Sequence, residues 1–571
     1  MLTHRLLPAL LLLFAVVTAG PALASTTVVP DSFPTIQTGV DSGADTVLVR
    51  PGSYAEHVTL AQPVALLALG TPAPTIAGVA SIIVGAGNTV IVGFHSTGPI
   101  HLGGAASTDN VSVRDCVADS ELVVVWGGRD AAVSGCVVQG GASVSADESK
   151  GGSITVGGCT ITGGLVTGAY GNTVVIVGNI VFGPAAVGIS ASAANGYLSL
   201  SGNHVSATED GIVIRNAFYL PSWVSGNYVT DCTGTAYRTT GGFGTDTGEI
   251  SFSDNEARNC GGRGFDVGGM SRWFISNTVD SIGGDGIRLQ GTGAKFIDNE
   301  IQHVGGHGIV SSNTLVFTVR GNRVVSTKLD GIHLAYADTV VQNVVGRAGG
   351  DGLVVLGSTR GVHMTRNTSY LNAGSGIRAS DWGSADSIAL NLSFGNLGCS
   401  FLWQGTHTPF LECNDWYGYG TGMVCGTIPG LSDVTAYPFF CNLPDDDVHL
   451  SAGSPLLALG ACGLVGALGQ GCTETVGAPD AGRAITPGLM VTPNPGRGGV
   501  RFAWSNASKP EALEVFDVTG SRRWSAPIVE GASGLQWPAI DREGRRLPAG
   551  VYYARLMGKG TSATARFVLV E

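Results

Sequence analysis

The chain is poor in charged residues and rich in glycine. Of its 571 residues, only 13% are Asp, Glu, Lys or Arg, whereas 88 are glycine. The formal net charge is −12 and there is no long Lys/Arg cluster, which argues against nucleic acid as a partner. The acidic excess also argues against binding a polyanion along the whole surface. Many glycines and few charges suit a chain with repeated tight corners and few long solvated faces.

Long apolar runs and runs with helical spacing are also scarce. Residues 1–24 begin with a charged segment around Arg5, continue with an apolar run and end in a small-x-small motif at Ala24. This pattern predicts a secretory signal peptide over 1–24. The alternative, a transmembrane anchor, is disfavoured because the apolar run is short and contains Pro8. Every other apolar stretch is too short to span a bilayer.

The chain does contain a repeat. Between Trp273 and Ser380, four successive segments each carry an Asn, an apolar pair, and then Gly followed by Ile or Leu. The asparagines follow one another at 22, 23 and 21 residues: Asn277, Asn299, Asn322 and Asn343. This period, with short alternating apolar runs, predicts a solenoid whose coils are strands joined by turns. Because one unit cannot bury its own apolar face, neighbouring units must stack on it.

The repeat predicts two columns of structural residues. The asparagine column can be followed over about fifteen coils, counted from Phe94. Its further members are Asn179, Asn203, Asn227, Asn367, Asn391 and Asn414, with Cys116, Cys136 and Cys159 as buried thiols before them. Each repeat also has a corner glycine before an inward apolar residue. These are Gly286, Gly308, Gly331 and Gly352, and we expect them to supply the positive φ of a tight corner.

These features resemble the right-handed parallel β-helix of the pectate-lyase superfamily. The opening is also similar to that superfamily, with a short amphipathic segment over 35–40 and a strand over 46–50. There, such a helix covers the exposed end of the first coil, an edge that would otherwise be unpaired. The resemblance implies an all-β fold with a right-handed β-helix over 25–472. Pectin methylesterases share the opening, but their later Gln, Asp and Arg motifs have no match here.

Besides the three column cysteines, the chain has a pair of cysteines and a group of six. Cys232 and Cys260 each lie five residues after a column asparagine on adjacent coils, which predicts a disulfide. Residues 399–472 hold six more and resemble the closing coils of secreted bacterial β-helix repeat proteins. In an exported protein these six are expected to form disulfides, and fifteen connectivities stay open. No CxxC pair is present, which disfavours zinc. The six are Cys399, Cys413, Cys425, Cys441, Cys462 and Cys472.

The C-terminal part differs in composition. Residues 473–486 are dominated by Ala, Gly, Pro and Asp, as in a linker. Residues 487–571 read as strands separated by Gly and Asp turns. Asn494-Pro495, 516–520, Trp537 and 550–553 make this part similar to a small Ig-like module related to the flagellar hook-capping protein and to type IX secretion sorting domains. That resemblance implies a β-sandwich whose partner is export or surface-attachment machinery.

Two adjacent columns of the repeat contain the candidate catalytic and binding residues. Eight residues after each column asparagine lie Arg263, Asp285, His307, Asp330, Asp351 and Ser375. Two residues after each corner glycine lie Asp266, Arg288, Val310, His333, Val354 and Arg378. Strand alternation places the second column outward. We call these twelve residues the charged stripe.

The resemblance to the pectate-lyase superfamily implies a polysaccharide groove on the charged stripe. Carboxylates on neighbouring coils lie ~5 Å apart, so they can share a cation such as Ca²⁺ or act as a retaining glycosidase pair. The predicted catalytic residues are Asp330, Asp351 and His333. The predicted substrate-binding residues are Asp266, Asp285, Arg288, His307 and Arg378. No dedicated metal-ligand set is assigned, and Ca²⁺ is the one cofactor considered.

A structural interpretation stands beside the functional one. Asp before a corner glycine commonly bonds to backbone, and alternating charges on a solvated face contribute little. The Gly306-His307-Gly308 motif is similar to one in polygalacturonases, but their other acidic motifs are absent, as is the Asp-Pro-His motif of alginate epimerases. The stacking-platform candidates, which serve equally as packing residues, are Trp126, Trp273, Trp382, Trp403 and Trp416.

Two functions follow from this sequence. The first is an exported or cell-surface protein that binds or processes polysaccharide, as a lyase or glycoside hydrolase if it is an enzyme. The second is a non-catalytic, adhesin-like or structural surface solenoid. No complete catalytic motif decides between them, and carboxylates bonded to backbone would favour the second.

Overall fold

A computed structural model gives the structure of the chain. It describes residues 25–77, 82–84, 86–102, 109–126, 129–146, 152–170, 173–194, 196–215, 221–240, 249–270, 272–358, 361–380, 386–418, 422–473, 489–492, 494–504, 510–528, 534–558 and 561–570. The predicted signal peptide, the linker beyond residue 473 and Trp382 lie outside these residues.

The N-terminal part is a parallel β-solenoid in which each complete coil contributes one strand to each of three sheets. Sheet 1 starts at the corner glycines, sheet 2 leads into the asparagine column, and sheet 3 follows that column. Two long strands, Ile309–Arg320 and Ile332–Val341, run through both sheet 1 and sheet 2 and join them. The right-handed parallel β-helix predicted from the sequence is confirmed.

The strands of each sheet stack in chain order. Sheet 1 consists of Val58–Leu60, Ile82–Val84, Ile100–Leu102, Leu122–Trp126, Ala142–Ala146, Leu165–Tyr170, Val187–Ala194, Asp210–Arg215, Tyr237–Thr240, Phe265–Met270, Ile287–Thr292, Ile309–Arg320, Ile332–Val341, Leu353–Val355, Ile377–Ala379, Cys399–Trp403 and Gly422–Cys425. Sheet 2 consists of Thr26–Val29, Thr46–Val49, Ala65–Ala68, Thr89–Val92, Val111–Arg114, Asp130–Ser134, Ser153–Gly157, Thr173–Val177, Leu198–Ser201, Ser222–Ser225, Ile250–Ser253, Arg272–Ile275, Ala294–Ile297, Ile309–Arg320, Ile332–Val341, His363–Thr365, Ser387–Ala389 and Phe410–Glu412. Sheet 3 consists of Ser53–Tyr54, Thr75–Ile76, His95–Ser96, Val117–Ala118, Val137–Val138, Thr160–Thr162, Ile180–Phe182, His204–Ser206, Tyr228–Thr230, Glu256–Arg258, Thr278–Ile282, Glu300–Val304, Arg323–Thr327, Val344–Gly346, Thr368–Tyr370, Leu392–Phe394 and Asp415–Tyr417.

Sheet 3 shows how well the coil count was predicted. It has seventeen strands within the described residues, two more than the predicted fifteen. The two additional coils contain Ser53–Tyr54 and Thr75–Ile76 and precede Phe94, where the predicted column begins. Gly52 and Pro74 stand at their column positions, where the counted coils carry Phe94, a cysteine or an asparagine, so the pattern does not extend to them.

The solenoid core is continuous along the coils. Alternate side chains of each strand point inward, as in the stack of Phe252, Phe274 and Phe296, whose neighbouring rings lie 5.3 and 5.0 Å apart. The helix Ile36–Asp41 packs its buried Ile36 and Val40 against the first coils, as predicted. Its start is capped by Thr35, which accepts the N–H of Thr38. No helix of the described residues is long and apolar enough to cross a membrane.

The asparagine column is a continuous hydrogen-bonded ladder. From Asn179 to Asn391, each Nδ2 donates to the Oδ1 of the next asparagine at 2.8–3.0 Å. Asn414 ends it by donating to Asp433 at 3.0 Å. The three cysteines that precede the ladder are buried and free, as predicted. Each amide thus satisfies a neighbour that would otherwise be buried unpaired.

The corner glycines do not have the positive φ that the sequence suggested. None of Gly286, Gly308, Gly331 and Gly352 lies in the left-handed region. A Cβ at Gly308 would overlap Val324 and lie 2.5 Å from the carbonyl oxygen of Gly331. Glycine is therefore required by the close approach of the neighbouring coil and not by backbone conformation.

Of the four disulfides, two join neighbouring coils of the solenoid and two involve the segment that closes it. Cys232 and Cys260 are bonded, as predicted. The six later cysteines pair as Cys399–Cys425, Cys413–Cys462 and Cys441–Cys472.

The closing segment folds back over the outer face of sheet 3. It contains the strands Phe440–Asn442, Asp447–Ser451 and Gln470–Cys472 and the 3₁₀ turns Leu443–Asp445 and Pro455–Leu457. Its apolar side chains form a second core with residues of sheet 3 that include Tyr370, Leu392 and Phe394.

The C-terminal residues form two further sheets around one apolar core. The first sheet holds Met490–Thr492, Val500–Ala503 and Gly534–Trp537. The second holds Gly496–Arg497, Thr561–Val570, Gly550–Gly558, Pro510–Asp517 and Arg522–Pro527. Trp537, Phe502 and Phe567 are fully buried between them.

Candidate functional site

The charged stripe lies on sheet 1, in the register that the repeat predicts. Asp266 pairs with Arg288, Arg288 with Val310, and Val310 with His333 on successive coils. The column continues through Val354 to Arg378. Val354 is fully buried and Val310 nearly so, although both stand in the outward column. The stripe is therefore partly shielded from solvent.

Three of the four aspartates of the stripe use one carboxylate oxygen to join neighbouring coils. Oδ1 of Asp285 accepts the N–H of His307 at 2.9 Å, and Oδ1 of Asp330 accepts the N–H of Asp351 at 2.7 Å. Oδ1 of Asp351 accepts the N–H of Ser375 at 2.6 Å. The bonds reach the next coil and not the residue's own turn. All three carboxylates therefore contribute to coil stacking, whatever else they do.

The second oxygen of each aspartate faces a cationic or imidazole group. His333 Nδ1 lies 2.7 Å from Oδ2 of Asp330, and Arg378 Nε lies 2.7 Å from Oδ2 of Asp351. Arg263 takes the same place for Asp285 and also pairs with Asp266, both at 3.2 Å. The stripe is thus a row of ion pairs and one His–Asp pair.

These contacts bear on the predicted catalytic pair of Asp330 and Asp351. Burial alone would raise the pKa of Asp330, but hydrogen bonds from His333 and from the Asp351 N–H hold that pKa below its ordinary value. Asp351 is paired with Arg378. A retaining glycosidase needs one of its two carboxyl groups protonated. The geometry therefore suits His333 better than either aspartate as a proton donor.

His307 and His333 stand side by side next to Asp330. Their rings lie edge to face with centroids 5.1 Å apart, and His307 Nδ1 is 3.8 Å from Oδ2 of Asp330. This nitrogen is buried and has no hydrogen-bond partner among the described residues. Burial lowers the pKa of His307, and the charge of His333 lowers it further, against the opposing effect of Asp330. The ring is therefore neutral near pH 7.

Arg288 differs from the other arginines of the stripe. Arg263 and Arg378 are each ion-paired, whereas Arg288 forms no ion pair with a carboxylate in the described part of the chain. Its guanidinium lies against the amide of Gln290, whose oxygen accepts from Nη2 at 2.6 Å in the orientation that satisfies both groups. Arg288 is therefore the stripe's guanidinium that is open to an anionic ligand.

Two of the five predicted tryptophan platforms are packing residues. Trp403 and Trp416 are buried, and their Nε1 atoms donate to the carbonyl of His407 and to Asp433. The Trp126 side chain and the whole of Trp382 lie outside the described residues. Trp273 is half-buried beneath Lys295, whose Nζ is 4.4 Å from the ring centroid.

Sequence reasoning missed an exposed aromatic pair on sheet 2. Trp223 is 48% exposed and stacks parallel to Tyr197, with ring centroids 6.2 Å apart. The register places Trp223, Ser251 and Trp273 in one outward column. Trp223 and Trp273 each lie four residues before a column asparagine, so a search of that position in every repeat would have found this column.

Comparisons with solved structures find similar proteins at low identity. The tailspike protein of E. coli bacteriophage HK620, solved with a pentasaccharide, is 10% identical; the match covers 93% of this chain and 88% of the tailspike, with a TM-score of 0.38. For the periplasmic alginate epimerase AlgG the values are 12%, 58% and 73%, with a TM-score of 0.28. PorZ, a surface component of the type IX secretion system of Porphyromonas gingivalis, is 25% identical over 15% of this chain and 12% of its own, with a TM-score of 0.13.

None of these likenesses assigns chemistry to this chain. No curated protein sequence matches it. The family model described as a right handed beta helix region matches residues 240–394. That segment contains the whole charged stripe.

Proposed function

We propose that this chain is an exported protein that binds an acidic polysaccharide along the charged stripe. The observation that carries the proposal is Arg288. A glycan carboxylate needs a cation that is not already neutralised, and Arg288 alone among the arginines of the stripe has no carboxylate partner within the described residues. The planar guanidinium pairs with carboxylates through two parallel hydrogen bonds, which gives both affinity and orientation.

The layout of the stripe suits a polymer. Equivalent positions recur at each coil, so Arg288 and His333, two coils apart, are separated by ~10 Å. The Oδ2 atoms of Asp330 and Asp351 and the imidazole of His333 offer hydrogen-bond partners for sugar hydroxyls. Should the bound polymer also be processed, His333 moves the proton and Asp330 orients its ring.

Export is supported by the four disulfides. Such bonds persist in oxidising compartments and are rare in the cytosol. The predicted signal peptide over 1–24 and the predicted attachment role of 487–571 agree with this location. A protein outside the cytosol meets the glycans of cell surfaces and matrices.

A second candidate function is a non-catalytic surface solenoid. It is favoured by the backbone hydrogen bonds of Asp285, Asp330 and Asp351, which give all three carboxylates a structural role. In this function the charged stripe stabilises the stack of coils and keeps its face solvated.

The test is a binding and turnover screen of the purified chain against acidic and neutral polysaccharides, with and without EDTA. We expect acidic polymers to bind, and Arg288→Ala to weaken the affinity about tenfold, the loss of one charged hydrogen-bonding group. The matched control is Arg320→Ala, an exposed arginine of sheet 2. New reducing ends or unsaturated products, lost in His333→Ala, would establish an enzyme. Failure of every polymer to bind, or equal effects of the two arginine variants, would leave the structural solenoid.

A further inference from the structure

His–Asp pairs recur on this chain, and one of them is different. His95 pairs with Asp119, His303 with Asp280, and His449 with Asp447, and each of these three imidazoles is at least 35% exposed. Asp330 pairs with His333, and the imidazole of a further residue, His307, lies close to the same carboxylate. His307, Asp330 and His333 form the one group of three such side chains, within the described residues, whose ligand atoms all lie within 4.8 Å of one another.

The distances in this group fit a small metal ion. Three ligands at ~2.1 Å from a tetrahedral zinc ion lie about 3.4 Å from one another. Oδ2 of Asp330 is 2.7 Å from His333 Nδ1 and 3.8 Å from His307 Nδ1, so the observed distances lie on either side of that value. All three ligand atoms lie within 4.8 Å of one another, and a bound ion would draw them together.

Neighbouring groups orient Asp330 and leave a ring nitrogen of His307 available for a ligand bond. Oδ1 of Asp330 is held by the N–H of Asp351 at 2.7 Å, which fixes the carboxylate and leaves Oδ2 to face the two rings. Such a partner outside the ligand set is what orients ligands in metal sites. His307 offers a buried Nδ1 that no described residue satisfies. The three side chains remain 14–25% exposed, so an ion can enter and retain an open position.

One nearby group opposes a cation. Nη2 of Arg378 is 3.9 Å from Oδ2 of Asp330, but Nε of the same guanidinium is 2.7 Å from Oδ2 of Asp351. Arg378 is therefore neutralised largely by Asp351. It lowers the affinity of the group for an ion without occupying the place between the rings.

We propose that His307, Asp330 and His333 form a binding site for a divalent transition-metal ion of the zinc type. Two imidazoles and one carboxylate are the donor set that such ions prefer, whereas Ca²⁺ takes six to eight oxygens. The sequence register places His307 and Asp330 in one column of the stripe and His333 in the other, but it does not show that both imidazoles approach the same carboxylate. The metal site shares Asp330 and His333 with the proposed polysaccharide site, but polysaccharide binding is argued from Arg288, which is not a metal ligand, so the two proposals can be tested separately.

The experiment is a titration of the EDTA-treated, full-length purified chain with Zn²⁺ by calorimetry and with Co²⁺ by visible absorption. We expect one equivalent to bind and Co²⁺ to give the intense visible bands of low-coordinate nitrogen and oxygen ligation. His307→Ala, Asp330→Asn and His333→Ala should each weaken the affinity by more than about tenfold. His303→Ala, which removes the imidazole of an exposed His–Asp pair, is the matched control and should bind as the wild type does. Thermal unfolding of each variant without metal confirms that it is folded.

A further variant separates a built site from adventitious surface binding. Arg378→Gln removes the opposing charge and should strengthen Zn²⁺ binding severalfold, an effect that binding to scattered surface histidines would not show. Absence of stoichiometric binding in the wild type, or binding equal in the three ligand variants and in His303→Ala, would overturn the proposal. Polysaccharide affinity measured in EDTA tests the proposed function separately.

Discussion

At the residue scale, Asp415 is a titratable group that the charged stripe does not use. Its carboxyl is fully buried where the closing segment meets the last coil. Oδ1 accepts the N–H of Ala436 at 2.8 Å, while Oδ2 is buried with no partner in the described residues. Burial raises the pKa of Asp415 to about 7, in spite of the Ala436 hydrogen bond. The group is thus neutral in the folded chain at mildly acidic pH.

This pKa predicts that Asp415 makes the chain less stable as the pH rises. The folded pKa lies above the unfolded one, so between about pH 4 and 7 the unfolded chain releases a proton that the folded chain retains. The loss is at most on the order of 4 kcal/mol. The free energy of unfolding of Asp415→Asn, relative to that of the wild type, should therefore be larger at pH 8 than at pH 5. Denaturant unfolding of both proteins at the two pH values measures this difference.

Asp31→Asn provides the control, because the hydrogen bonds from the Arg50 guanidinium lower the pKa of Asp31 and that group therefore titrates below this window. Arg50 stays charged from pH 5 to pH 8. The stability difference of Asp31→Asn from the wild type should therefore stay constant between pH 5 and pH 8. A constant difference for Asp415→Asn as well would contradict the role given to the buried carboxyl.

At the element scale, the corner glycines set how closely the coils can stack. A Cβ at Gly308 would meet Val324 and the carbonyl oxygen of Gly331 on the next coil, and neither can withdraw without disturbing a strand. We expect Gly308→Ala to lower the free energy of unfolding by about 3 kcal/mol, the upper end of the cost of overpacking. Equilibrium unfolding in urea measures it.

A glycine on the same sheet gives the comparison. Gly168, in the strand Leu165–Tyr170, has an ordinary φ, and a Cβ there meets no atom within 4 Å. Gly168→Ala should be neutral or stabilise by a few tenths of a kcal/mol, because alanine restricts the unfolded chain. Equal destabilisation by both substitutions would show that chain flexibility, and not coil contact, requires glycine at the corner.

The repeat period explains which elements could be predicted from the sequence. A constant step fixes register, so the asparagine ladder, the outward column from Asp266 to Arg378 and the Cys232–Cys260 disulfide follow directly from it. Beyond Asn414 the step ends, and the disulfide connectivity of residues 399–472 depends on a segment that folds back over sheet 3. The first two coils were missed because Gly52 and Pro74 hold their column positions and do not continue the pattern of the later coils.

The hydrogen bonds and side-chain orientations of the site could not be predicted from the register of the repeat. A column shows which residues are neighbours but not how each carboxylate divides its oxygens. The bond from Asp330 to the Asp351 N–H, and the approach of His307 to the same carboxylate, depend on side-chain rotamers in three dimensions. The corner glycines illustrate the same limit: their position was predicted, and the reason for glycine was wrong.

At the scale of the whole molecule, the solenoid and the C-terminal sheets have separate hydrophobic cores. The solenoid core runs from Val29 to Trp416, and the C-terminal core from Leu489 to Leu569, with no residue in common. All four disulfides lie in the first part, and residues 473–571 contain no cysteine. Units with their own cores generally unfold on their own.

Scanning calorimetry with and without dithiothreitol should therefore resolve at least two transitions that respond differently. Reduction removes the cross-links of the solenoid, each of which contributes about 2–4 kcal/mol in comparable proteins, so the solenoid transition should move to lower temperature. The transition of the C-terminal sheets should stay where it is, because the reductant has no bond to act on there. Assignment rests on hydrogen exchange of peptides from 25–472 and from 489–570 near each transition. A single transition that shifts as a whole would mean that the C-terminal sheets depend on the solenoid for their stability. They would then be an integral part of the solenoid and not the independent attachment module proposed from the sequence.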